Sequence, residues 1–143
     1  MGGRKPLKIA LDTNILIYFL EDIEPYAAKV ETLLNSFMRG EKQGIISTIN
    51  IAEILTGFYA AKEEEKAAET KNLLQDLTQG SFKIVPVTFE IADLAANLRA
   101  ERGGRLPDAI IAATAINQKA DILYSQDKGL QRYSKYINVS KLE

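Results

Sequence analysis

The chain contains no cysteine and no histidine. The first absence removes disulfides and thiolate nucleophiles and agrees with a reducing compartment. The second removes more, because without His or Cys there is no Ser-His or Cys-His nucleophile pair and no usual zinc ligand set. No apolar run reaches the length of a bilayer crossing, and the opening MGGRKP lacks the apolar segment of a signal peptide. A soluble, cytoplasmic protein with no membrane association is therefore expected. A formal net charge of −1 gives no broad electrostatic pull on nucleic acid, although a local basic rim on an acidic protein is compatible with one. Any chemistry must come from carboxylates, hydroxyls, lysines or a bound cofactor.

What remains is a chain of 143 residues, 46% hydrophobic and 26% charged, which suits one globular domain spanning 1–143 with a single core. Ile9, Ala10 and Leu11 read as a short buried strand ending at Asp12. Helical spacing takes over at Ile15, Leu16, Phe19 and Leu20. A helix follows over 26–38, then a strand GIIS at 44–47 and a helix TINIAEILTGFYAA with an apolar stripe of Ile51, Ile54, Leu55 and Phe58. The charged stretch from Lys62 reads as a solvated helix ending near Gly80. FKIVPV at 82–87 is a third strand, 88–101 a helix stopped by Gly103 and Gly104, and RLPDAIIAATAINQKA a largely buried helix with Pro107 at its start. A fourth strand at 121–125 and an edge strand within YINVSKL complete the alternation. Such alternation implies an α/β, Rossmann-like fold, with a mostly parallel sheet of four to five strands and helices on both faces.

This reading sends several acids to one place. Asp12 follows strand one, Glu53 lies in the opening turns after strand two, Asp108 opens the helix leading to strand four, and Asp127 follows that strand. Ligand sites in open α/β sheets form at the carboxyl edge, where loops and helix N-termini converge. Like charges gathered there raise one another's pKa, and a hard divalent cation with oxygen ligands relieves them. Magnesium or manganese fits this donor set and zinc does not. Such an ion supplies an activated water and steadies charge on a phosphorus centre without any histidine. Each acid also has a structural reading: Asp12 and Asp127 as helix caps, and Asp108 as an acid favoured by the helix dipole. Glu53, on an otherwise apolar helix, is harder to explain that way.

The DTN after an apolar strand, STINIAEIL with its acid, LPDAIIAATA and the closing YSQD together resemble the PIN domain, and within it the VapC-like toxins of toxin–antitoxin pairs. The resemblance spans about residues 8–139. It implies a ribonuclease that hydrolyses RNA phosphodiesters with Mg²⁺ or Mn²⁺ held by Asp12, Glu53, Asp108 and Asp127, Glu53 serving as ligand or base. Thr13, Asn14 and Ser125 match supporting polar positions, with Ser125 replacing the usual threonine of the last motif. It further implies an antitoxin protein as partner and a homodimer. Arg102 and Arg105, beside a flexible Gly103–Gly104, are candidates to hold RNA phosphates. A haloacid-dehalogenase-type phosphatase would need an aspartate where Asn14 stands, and a receiver domain would need a phosphoacceptor where the chain has only PVTFE. A non-catalytic interaction module and another acidic-site Mg²⁺ phosphohydrolase are the remaining alternatives.

Overall fold

In the strands, successive side chains leave opposite faces of the sheet, and this period decides where the helices lie. In β1 (Lys8–Leu11), Ile9 and Leu11 enter one core while Ala10 enters the other. β2 (Gln43–Ser47) sends Ile46 to the first and Ile45 to the second, and β3 (Phe82–Val85) divides Phe82 and Val85 in the same way. The first core is closed by α1 (Thr13–Leu20), α2 (Tyr26–Met38), α3 (Thr48–Ala60) and α4 (Glu64–Leu77), through side chains such as Ile15, Val30, Ile54 and Leu74. The second is closed by α5 (Phe89–Arg102) and α6 (Leu106–Asn117). Buried Ala109, Ala112, Ala113 and Ala115 let α6 lie close to its neighbours.

The computed structural model describes residues 5–143, so the MGGR that opens the expected 1–143 domain lies outside the described residues. After α6 come β4 (Ile122–Tyr124), a 3₁₀ helix (Lys128–Tyr133) and β5 (Val139–Ser140). All four strand pairings are parallel, in the order β3-β2-β1-β4-β5. The chain therefore builds outward from β1 to β3, then returns through α5 and α6 to start β4 on the other flank of β1. That reversal creates a topological switch point between β1 and β4. The expected fold is thus present as a single α/β domain with a five-stranded parallel sheet. No helix among the described residues is long and apolar enough to cross a membrane.

Element ends differ from the sequence reading for local reasons. β3 stops at Val85, one residue short of the expected end at Pro86, because Pro86 offers no N–H to a parallel neighbour. The charged helix starts at Glu64, after Lys62 takes a left-handed turn with φ 58°. Pro107 is the second helical residue of α6, still within the turn whose N–H groups lack helical partners. Gly44 in β2 is required sterically: a Cβ there would stand 2.5 Å from the Phe82 ring and 2.6 Å from that of Phe37. Gly44→Ala should destabilise the protein by about 1–3 kcal/mol through overpacking, read as a lower melting temperature; an unchanged melt would show that both rings yield freely.

Candidate active site

Asp12 stands at the switch point. Its N–H donates to Tyr124 O at 3.0 Å, continuing the β1–β4 pairing, and the residue is only 4% exposed. A buried carboxylate needs donors, and two are supplied. Thr13 N donates to Oδ1 at 2.7 Å, as a helix cap, and the Ser125 hydroxyl donates to Oδ2 at 2.7 Å. Burial nevertheless lifts the Asp12 pKa above its ordinary 3.8; those two hydrogen bonds oppose the shift, and the charges of Asp108 and Asp127 add to it. Two of the other three expected acids therefore lie close enough for their charge to act on Asp12.

Glu53 joins through a polar chain under α3. The Thr13 hydroxyl donates to Glu53 Oε1 at 2.7 Å and accepts from Asn50 Nδ2 at 3.0 Å. Asn50, 1% exposed, accepts in turn from Ser47 N at 2.8 Å, while Ser47 Oγ accepts from Ile49 N. Asn50 and Ser47 form a capping box that starts α3, so the cap that fixes the helix also fixes Thr13 and through it Glu53. The sequence reading did not single out Asn50. Its signal was Ser47 with an amide side chain three residues on, a variant of the Ser-x-x-Gln cap.

Asp127 is both cap and candidate ligand. Its Oδ1 accepts from Gly129 N at 2.8 Å, starting the 3₁₀ helix, and its own N–H donates to Ser125 Oγ at 3.0 Å. Ser125 thus ties Asp12 to Asp127 with one hydroxyl. Asp108, 5% exposed in the first turn of α6, reaches the same spot: a Cβ added to Gly129 would lie 3.3 Å from Asp127 Oδ1 and 3.4 Å from Asp108 Oδ2. The absence of a side chain at Gly129 leaves open the space both carboxylates border. Asp108 also pairs with Arg105, whose Nη2 and Nε lie 3.2 and 3.4 Å from its two oxygens. That hydrogen bond holds Arg105 still more firmly protonated, and Glu53 and Asp127 contribute charge to the same effect.

Three supporting features have local settings that the sequence did not reveal. Asn14 is exposed, and among the described residues its side chain makes no hydrogen bond; Asn50 does the bracing instead. Arg102 turns to Glu101, at 3.6 Å, and to the Tyr136 ring, 6.0 Å away. The Gly103–Gly104 link is also pinned: Tyr133 Oη donates to Gly103 O at 2.7 Å and Arg99 Nε to Gly104 O at 3.0 Å, while both glycines use positive φ. Their role is a fixed sharp turn between α5 and α6.

The donor set suits Mg²⁺ or Mn²⁺ in chemistry, since it offers carboxylate and hydroxyl oxygen and no nitrogen or sulfur ligand. Asp108 and Asp127 both border the position that a side chain on Gly129 would fill. As they lie, no three acids among the described residues enclose an ion, and Arg105 is the positive charge on Asp108.

Comparison places this geometry in a family. The PIN-domain sequence pattern matches residues 9–136, and the chain belongs to the PIN-domain family. No curated protein matches the chain. Among solved structures it is similar to a toxin–antitoxin complex from Klebsiella pneumoniae, at 25% identity and TM-score 0.71, covering 94% of this chain and 98% of that one. DNA-bound VapBC from Salmonella typhimurium aligns with TM-score 0.73 at 17% identity over 96% and 99% of the two chains. Mycobacterium tuberculosis VapC20, described as a sarcin-ricin loop cleaving toxin, aligns with TM-score 0.68 at 15% identity over 86% and 92%. The domain thus has the VapC-like toxin fold.

Asp12→Asn tests the site directly. The folded chain holds the Asp12 proton more tightly than the unfolded chain does, so wild type in chelator carries a penalty that is absent below the ordinary value of 3.8 and grows as pH rises through the raised folded value. The variant lacks this penalty and keeps the size of the side chain. In chelator at neutral pH it should melt at or above wild type. The gap should close on acidification. A chelated variant melting well below wild type would make Asp12 a structural cap alone.

Proposed function

We propose that this protein is a Mg²⁺- or Mn²⁺-dependent endoribonuclease, the toxin of a toxin–antitoxin pair. The observation that carries the reading is the convergence of Asp12, Asp108 and Asp127 on one edge of the sheet, with Asp12 buried although the other two repel it. A fold is not stabilised by that arrangement without a cation to use it.

Asp12, Asp108 and Asp127 would hold the cation, with Glu53 as a further ligand or as the base. A divalent ion bound there supplies an activated water and stabilises charge on the phosphorus and the leaving oxygen. The chain's own residues do the rest. Ser125 fixes the spacing of Asp12 and Asp127, and Thr13, braced by Asn50, orients Glu53. Arg105, its side chain 68% exposed beside the acids, is positioned to take an RNA phosphate, whereas Arg102 lies with Glu101 and Tyr136 and would reach RNA only at the rim. RNA is the favoured substrate because a similar fold is described as cleaving the sarcin-ricin loop.

An antitoxin partner is supported by the several similar structures that are toxin–antitoxin complexes. Self-pairing is supported by α3, where Ile51 and Leu55 are only half-buried and Tyr59 is 49% exposed, while Ile54 and Phe58 are taken by the core. Cytoplasmic residence follows from the same reading, since RNA and a reducing environment coincide there.

A panel of structured RNAs incubated with Mn²⁺ should be cut, and chelator should stop the cutting. Asp12→Asn should lower cleavage at least about a hundredfold, more than loss of an outer-shell partner costs. Cutting that survives chelator would remove the metal from the mechanism. In sedimentation at working concentrations the protein should run as a dimer, and a monomer would count against self-pairing through α3.

A further inference from the structure

Among the described residues Arg105 is the one cation within ion-pair distance of any of the four acids. The pair is asymmetric. Asp108 has a side chain 7% exposed, whereas that of Arg105 is 68% exposed, and its two contacts, at 3.2 and 3.4 Å, lie at the long end of hydrogen bonding. Its backbone position is fixed by the pinned Gly103–Gly104 turn next to it, so any movement of the guanidinium belongs to the side chain. A pair whose cation is this exposed is screened by solvent and readily exchanged at the arginine end.

We propose that Arg105 alternates between two anions: it neutralises Asp108 before a divalent cation binds, and is released by that cation to an RNA phosphate beside the scissile one. The proposal rests on the metal-dependent ribonuclease reading. A cation that takes Asp108 removes the anion that Arg105 was facing and places like charge beside it, which frees the exposed guanidinium for a phosphate. A fork of N–H donors suits phosphate oxygens as well as carboxylate oxygens. Arg105 thereby competes with the metal and assists the RNA, two effects of opposite sign. A purely structural arginine would leave metal affinity unchanged or weaken it on removal, and a simple phosphate contact would leave it unchanged.

The test compares wild type, Arg105→Gln and Arg105→Lys in Mn²⁺ titrations without RNA, followed by electron paramagnetic resonance of free Mn²⁺ and by thermal melts. Arg105→Gln should bind Mn²⁺ about two- to fivefold tighter, the worth of an exposed ion pair, with Arg105→Lys between it and wild type. In chelator Arg105→Gln should melt below wild type, because Asp108 has lost its counter-charge; added Mn²⁺ should narrow or close that difference. Its KM for RNA should rise about tenfold or more, with kcat changing less. Unchanged or weaker Mn²⁺ binding by Arg105→Gln, with wild type binding normally, would overturn this inference alone. A wild type that binds no Mn²⁺ would overturn it together with the ribonuclease reading.

Discussion

Everything around the site answers one requirement: a carboxylate at Asp12 has been taken out of water and has to be held there. Its two oxygens each accept one short hydrogen bond, and the donors come from opposite ends of the chain, the start of α1 and the loop after β4. Satisfying Asp12 therefore demands that β1 and β4 be neighbours and in register, which the parallel pairing of Ala10 with Leu123 and Leu11 with Tyr124 provides. The switch point is where such a demand is met most readily, because the backbone ends of two adjacent strands diverge there and leave room for side chains.

Two further layers brace this centre. Under α3, the capping box of Ser47 and Asn50 fixes the helix start and the Thr13 hydroxyl together, so Glu53 is oriented by a device that also stabilises secondary structure. Beyond β4, Ser125 and Gly129 place Asp127 by the same economy, with a carboxylate that both caps a turn and faces the cluster. Caps and candidate ligands are alternatives in a sequence, yet in the folded chain the same carboxylates, Asp12 and Asp127, are both. A carboxylate has two oxygens, and a cap needs only one of them.

That coincidence explains what could be read in advance. Asp12, Asp108 and Asp127 could be placed in advance because each sits where a strand or loop gives way to a helix, whereas Glu53 lies inside α3 and stood out only as a charge on an apolar helix. Asn14 looked equivalent to its neighbours in DTN. Each helical residue turns about 100°, however, so one step past Thr13 carries the side chain out to solvent. Asn50 was invisible because its partner Thr13 lies 37 positions earlier, and only the adjacency of β1 and β2 brings them together. The Gly103–Gly104 turn read as flexible, since nothing local reveals that a tyrosine 30 residues downstream clamps it.

The bond between Ser125 and Asp12 spans 113 positions of the sequence. A chain emerging from the ribosome exposes Asp12 first, with α1 to α4 able to gather around β1 and β2, but Ser125, which completes the cleft, follows only 113 positions later. Contacts of such long range form late, after the entropy of closing the intervening loop has been overcome. The acid cluster is consequently withheld from any nascent chain shorter than about 127 residues, as the loop-closure argument requires. The separation of Ser125 from Asp12 thus keeps the site unassembled until the chain between them has been made.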